Sequence, residues 1–298
     1  MIREFNKEYC FVSLKGFGDL TIALSMLRRV PDPFQSHFSI LLGSHLNGLV
    51  DALNVKLSVM SVDTGDKSGA AIFALRTRGI LAGLKNAASL RSSMGAALQH
   101  MSPTLVFDRL SWRERFISAD LHAVAIAPNQ NNVYIAYEIF LKSIFPILPE
   151  PPLQIVTSKL IGIFPITSLY KKNLTASVID RIACFCLSNG FEPVVFLLEG
   201  ERLDGPVRAP VINIERNFLA LVEAIDSIAG AICADSLPAH LSAYLRKHVF
   251  VMSPTPNTYW FPRSVYANGY WALFNGIDKL DQSLDRFFST LKMESCLE

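Results

Sequence analysis

No apolar run in this chain approaches the ~20 residues a membrane-spanning helix requires, and the polar opening "MIREFNKEYC" lacks the basic start and apolar core of a secretory signal. The expected location is therefore the cytoplasm, with room for peripheral contact with a membrane surface. Cysteine is scarce and odd in number: among the five, no two have the spacing of a zinc knuckle or a redox pair, so neither a disulfide framework nor a structural metal is expected. Cys184 and Cys186, one residue apart in a helical pattern, read as buried thiols. Two nucleotide signatures are missing as well. There is no Gly-Lys-Ser/Thr ending to a phosphate loop, and Thr21 stands where the third glycine of a dinucleotide fingerprint would be. A net charge of only +2 gives no reason to expect nucleic acid as a partner.

What the chain has is apolar residue, at half of the total, and length: 298 residues suit two domains better than one core. Strand and helix patterns alternate throughout, which argues an α/β class built on parallel sheets. Phe11–Leu14 is a short apolar strand, Lys15–Gly18 a glycine turn, and from Asp19 the residues Leu20, Ala23, Leu24, Leu27 and Val30 recur at helical spacing. His37–Gly43 and Val55–Val62 read as further strands, Ala70–Gln99 as a glycine-punctuated helical region, and Asn132–Phe145 as a helix. Four prolines between Pro146 and Pro152 mark the domain boundary, giving residues 1–150 and 151–298. After them strands at "KLIGIFP", "EPVVFLLEG", "GAICAD" and "HVFVMSP" alternate with helices, and a final helix, Lys279–Leu291, could fold back toward the first half. Between Arg76 and Arg115 seven cations (Arg76, Arg78, Lys85, Arg91, Arg109, Arg113, Arg115) face two acids (Asp108, Glu114), a local +5 that suits an anionic partner.

Open parallel sheets bind ligands beyond the carboxyl ends of their strands, so the loops there carry the chemistry. In "KGFGD" the glycine turn admits a close approach to the backbone, and Asp19 stands at the mouth of a helix. By itself that acid reads as a helix cap. The helix end and Lys15 are expected to depress its pKa. "PITSLYKK" and "EGER" follow two later strands. In "ADSLPAH", Asp235, Ser236 and His240 occupy a strand-to-helix turn with Pro238 favouring helix entry, where free backbone amides and a positive helix end suit a diphosphate.

Together "KGFGD", "IGIFPITSLYKK" and "CADSLPAHLSAYLRKHVFVMSPTPNTYWFP", in that order and at compatible spacing, resemble glycosyltransferase family 9, the bacterial heptosyltransferases of the lipopolysaccharide core. The resemblance implies a GT-B fold, two Rossmann-like domains with parallel sheets facing across a cleft, the first binding the acceptor and the second the nucleotide-sugar. It implies inverting, metal-independent transfer from a donor such as ADP-heptose, which is substrate and not cofactor, to an anionic glycolipid or surface-glycan acceptor at the inner face of the inner membrane. On it, Asp19 is the base and Lys15, Gly16 and Gly18 line the acceptor side. Thr167, Ser168 and Lys171 or Lys172 contact donor phosphates, Glu199 or Glu201 the ribose, and Asp235, Ser236 and His240 the donor. Two positions depart from the family's pattern: Leu237 and Ser253 stand where glycines are usual. A nucleotide-sugar epimerase of similar fold, or a GT-B module that binds without turnover, are the alternatives. Nothing in the sequence fixes an oligomeric state.

Overall fold

The computed structural model describes residues 9–64, 79–99, 101–118, 121–126, 130–154, 158–274 and 277–295. The chain divides into two compact units, residues 1–149 and 150–298, the division falling inside the Pro146–Pro152 run. The first unit runs β1 (Tyr9–Ser13), α1 (Phe17–Leu27), α2 (Asp32–Gln35), β2 (Phe38–Gly43), α3 (Asn47–Ala52), β3 (Val59–Val62), α4 (Ile80–Ala97), β4 (Thr104–Phe107), α5 (Trp112–Ser118), β5 (Ala123–Ala125), α6 (Val133–Ile144). The second runs β6 (Leu160–Phe164), α7 (Ala176–Ser188), β7 (Glu192–Leu198), β8 (Val211–Ile214), α8 (Phe218–Asp226), β9 (Gly230–Ala234), α9 (Leu237–Tyr244), β10 (His248–Ser253), α10 (Arg263–Asn268), β11 (Trp271–Leu273), α11 (Ile277–Ser295).

Each unit holds one all-parallel sheet, in the order β3-β2-β1-β4-β5 and β11-β10-β9-β6-β7-β8. The expected α/β tandem is thus what the chain has. Parallel strands covered on both faces need no polar side, and β2, β9 and β10 are buried at every position. In β1, Cys10 and Val12 join the core that includes Leu90 and Leu105, while Phe11 points to the opposite face and meets Phe38 and Tyr137. All of Leu20–Leu27 in α1 is buried, so this helix lies inside its unit and not on its surface.

Each sheet reverses direction once. The chain leaves β1 for β2 and β3, then returns to the other side of β1 at β4; likewise it leaves β6 for β7 and β8, then returns beside β6 at β9. Neighbouring strands whose connections depart to opposite sides leave a crevice at their carboxyl ends, the place where such sheets bind ligands. The two crevices lie at β1/β4 and β6/β9.

Several expectations need correction. Strands β4, β5, β8 and β11 are absent from the sequence reading; each has five residues or fewer, too short for a clear alternation. β3 starts at Val59 and not Val55, and α1 starts two residues before Asp19. Cys184 is exposed while Cys186 is buried, because residues two apart on a helix point to different faces. The final helix α11 carries Leu280, Leu284, Phe287, Phe288 and Leu291 on one stripe into the core of the second unit, where Phe287 meets Phe250 at 5.6 Å and Tyr270 at 5.5 Å. Residues 70–78 of the expected helical region, with Arg76 and Arg78, lie outside the described residues, as does Cys296.

Candidate active site

At the β1/β4 crevice, Gly16 is the N-cap of α1 in an extended conformation, and no side chain of its own is there to cap the helix. Asp19, third in the helix, reaches back so that its carboxylate accepts from the Gly16 amide. A Cβ on residue 16 would stand 3.2 Å from Asp19 Oδ2, so glycine leaves the room the carboxylate uses. Gly18 lies between them in the first turn. Burial pushes the Asp19 carboxyl up, and Lys15, the Gly16 amide and Arg109 offset this only in part. The expectation of a depressed pKa is therefore overturned: desolvation outweighs the helix end and the nearby cation.

Lys15, whose charge acts on Asp19, is itself paired. Its Nζ stands 2.7 Å from Glu114 Oε1 on α5, and Glu114 Oε2 accepts from the Ser111 hydroxyl and, at 2.9 Å, from the Ser111 amide. Burial works against the Glu114 charge, but these donors win and hold its carboxyl below the ordinary value. From the end of β2, His45 donates to the Lys15 carbonyl at 3.3 Å and rests on Phe17; a side chain at Gly43 would strike its ring at 2.7 Å.

The sequence reading missed the most consequential neighbour. Asp108 follows β4 directly and accepts a hydrogen bond from the hydroxyl of Tyr137, a buried residue of α6. Burial, and after it the charge of Asp19, pushes the Asp108 carboxyl up to about 7, against donation from Tyr137 and the cations Lys15 and Arg109. The charge of one acid is thus felt by the acid at the adjacent strand end. The signal available in the sequence was "TLVFD", an apolar run ending in an acid like the one before "KGFGD".

At the β6/β9 crevice, Lys172 Nζ stands 2.7 Å from Asp235 Oδ2, joining the loop after β6 to the turn after β9. Lys172 sits in a 3-10 turn, Tyr170–Lys172, whose other cation, Lys171, is exposed. Thr167 and the exposed Ser168 precede it. Thr167 spends its hydroxyl on the Leu169 carbonyl at 2.8 Å and its amide on Asn173. Ser236 is the N-cap of α9, yet its hydroxyl donates to the Ala234 carbonyl at 3.1 Å, so no side chain caps that helix. His240 is buried behind the turn; burial holds its pKa down to about 4, Asp235 opposing and Lys172 assisting, so the ring is neutral. Glu201 folds back to accept the Leu198 amide at 2.9 Å, whereas the Glu199 side chain is exposed at the end of β7. The structure thus brings Lys172, Asp235, Ser236 and His240 together and leaves Thr167 and Glu201 in local turns. Among the described residues no group of His, Cys, Asp and Glu could hold a metal ion, and no helix is long and apolar enough to cross a membrane.

Two parallel sheets in tandem, each gathering polar side chains at its point of reversal, define a double Rossmann-like protein. Comparison with solved structures finds the same fold. The chain is similar over 100% of its length to 99% of the glycosyl transferase family 9 protein from Veillonella parvula, with a TM-score of 0.62 at 12% identity. It is similar over 89% of its length to 92% of the E. coli heptosyltransferase WaaC with ADP (TM-score 0.58, 13% identity). A third likeness, to the E. coli ADP-heptose lps heptosyltransferase II, covers 96% of this chain and 99% of that one (TM-score 0.55, 14% identity). The sequence itself matches no family model and no curated protein. The fold resemblance implied by the motifs is thus present across the whole chain.

Proposed function

We propose that the protein is an inverting glycosyltransferase that uses Asp19 as its base and the β6/β9 crevice as its donor site. The observation that carries the reading is Asp19 itself: an acid made more basic by burial, fixed by the Gly16 amide at a switch point, with its nearest cation engaged by Glu114. In the proposed step the acceptor hydroxyl oxygen bonds to the anomeric carbon and its proton passes to Asp19. The bond from that carbon to the diphosphate breaks, and its electron pair leaves with the phosphate. Lys172, the exposed Lys171 and the amides at the start of α9 would meet the charge that develops there. Glu199, not Glu201, is the acid open to a ribose. Ser236, with its hydroxyl turned to its own backbone, would contribute through the helix end it begins. The reaction so written needs no cofactor or metal.

Because WaaC carries ADP in its solved structure, an ADP-sugar, ADP-heptose first, is the donor to try. For the acceptor, an anionic glycolipid fits the outer face of α4 and α5. Ile80, Leu81, Leu84 and Trp112 are exposed there at 70%, 84%, 52% and 66%. Asp108 and Glu114, the only acids within residues 79–118, turn inward onto Tyr137 and Lys15, leaving the cations of that segment to set the surface charge. The test is thermal stabilisation by a panel of ADP-, UDP-, GDP- and CMP-sugars, followed by turnover with the donor that binds. No stabilisation by any of them would sink the donor site. Leu237, half-buried at the first position of α9, favours one competing reading, a module that binds nucleotide-sugar without turnover. Conversion of a donor with no acceptor present would instead reveal an epimerase.

A further inference from the structure

β1 and β4 are adjacent parallel strands, Phe11 lying opposite Val106, so the turn that holds Asp19 and the first residue beyond β4, Asp108, emerge side by side. Asp108 is not loose there. The Tyr137 hydroxyl donates to its Oδ1, and the Tyr137 ring is stacked on Phe11 of β1, centroids 6.4 Å apart, so the core itself sets where Asp108 stands. Among the described residues the other charged groups facing the two acids are few. Lys15 comes from the β1–α1 turn and is shared with Glu114 of α5; Arg109 follows Asp108 in sequence. Glu138, one residue beyond Tyr137 on α6, is occupied by Arg29 and Lys142, and His45 from beyond β2 spends a ring nitrogen on the Lys15 carbonyl.

We propose that Asp19 and Asp108 form one coupled carboxylate pair, in which Tyr137 fixes Asp108 and Asp108 is a positioning residue that sets how tightly Asp19 takes up a proton. Two like charges this close resist being present together, so the pair releases its protons in two steps that belong to both residues. Burial, and after it the charge on Asp19, pushes the Asp108 carboxyl up to about 7. Once both are charged, the repulsion between them is relieved by placing a proton on Asp19. That is the transfer asked of it when an acceptor hydroxyl gives up its hydrogen. The catalytic consequence rests on reading Asp19 as the base; the coupling does not. Were Asp108 only an anchor for Tyr137, its removal would cost stability and leave the titration of Asp19 where it was.

The test is a pH titration of the full chain by carboxyl carbon NMR with labelled aspartate, on the unaltered protein and on Asp19→Asn, Asp108→Asn and Tyr137→Phe. In Asp19→Asn the Asp108 midpoint should fall by about one pH unit or more, and in Asp108→Asn the Asp19 midpoint should fall as well, because each loses a like-charged neighbour. Tyr137→Phe should move the Asp108 midpoint upward, since the lost hydrogen bond favours the charged form. If Asp108→Asn does not fold, the Asp19→Asn and Tyr137→Phe titrations decide alone. Unchanged midpoints for the remaining acid would overturn the pairing, whatever the activity. With the donor that binds, kcat/KM against pH should rise in two steps, the upper one near 7, and Asp108→Asn should lose the upper step. Coupling without turnover for any donor would leave the pair standing and remove the transferase reading. Asp19-dependent turnover without coupling would do the reverse.

Discussion

Lys172 and Asp235 come from two different strand ends and meet at 2.7 Å across the point where the second sheet reverses. Both are partly exposed, so the pair contributes no more than about 1 kcal/mol to folding. On the proposed donor site its consequence lies in binding, because a diphosphate entering at the start of α9 would meet Lys172 already oriented by Asp235. Replacing Lys172 by Met should weaken ADP binding by about tenfold or more, the scale of one charge-assisted hydrogen bond. The exposed Lys171, with no such orientation, should cost less than about threefold when made Met. Calorimetric titration of ADP at fixed salt checks both, and a larger loss at Lys171 would transfer the phosphate role to it.

Asp19→Asn keeps the hydrogen-bond acceptor that Gly16 uses and removes only the basic oxygen. Transfer should fall by about 10²- to 10⁴-fold, the usual worth of a general base, while donor affinity and unfolding temperature stay close to the original. Gly16→Ala should cost activity with Asp19 itself retained, because the new methyl, 3.2 Å from Asp19 Oδ2, crowds the carboxylate out of its place. Steady-state rates with unchanged donor affinity are the readout, and full turnover by Asp19→Asn would remove it as the base.

The first crevice was half legible from residues alone. The β1–α1 unit announces itself through an apolar run, two glycines and helical spacing, all within 20 residues. Its helix begins at Phe17 because Asp19 acts from the third position and reaches back, a detail of capping that spacing does not show. Asp108 was not legible. It comes beside the turn that holds Asp19 only because a four-residue strand inserts beside β1 at long separation, and the wrong direction expected for the Asp19 pKa followed from leaving out the burial that this packing brings. In the second unit the ends of β6 and β9 were both readable, since their apolar runs are continuous. The choice between Lys171 and Lys172, or Glu199 and Glu201, depends on side-chain direction in irregular turns, and no periodicity governs that.

Stability against pH should carry opposing slopes from the two units. Asp108 releases its proton near 3.8 when unfolded and near 7 when folded, so the folded state holds the extra proton between these values and stability falls as pH rises from 4 to 7. His240 binds a proton near 6.5 when unfolded and near 4 when folded, so stability falls as pH drops from 6.5 to 4. After allowance for solvent screening at the partly exposed acid, each slope is worth about 2 to 3 kcal/mol. Asp108→Asn should therefore lose the decline toward neutral pH and leave the acid-side decline steeper, while His240→Asn should do the opposite. Thermal unfolding of the full chain at stepped pH separates them, and an Asp108→Asn curve parallel to the original would contradict the raised carboxyl.

The exposed face of α4 and α5 makes the acceptor half of the proposal testable without any donor. Trp112 and Phe116 are one turn apart on α5, Arg113 lies over the Trp112 ring and Arg91 of α4 over Phe116, at 5.5 and 5.8 Å, so aromatic surface and cations are presented together. An anionic bilayer offers both partners at once: acyl boundary for the rings and Leu81, lipid phosphate for the cations. The protein should sediment with vesicles of phosphatidylglycerol and phosphatidylethanolamine and much less with phosphatidylcholine. Arg113→Glu with Arg115→Glu should weaken that binding by at least tenfold, at roughly 1 kcal/mol for each cation lost. Trp112→Glu with Leu81→Glu should reduce it at high salt as well, where the charge contribution is screened and the apolar one is not. Equal binding to both vesicle types would count against an anionic surface. A change in sedimentation velocity of the free protein on Trp112→Glu would mean that a second copy of the chain, and not lipid, covers this face.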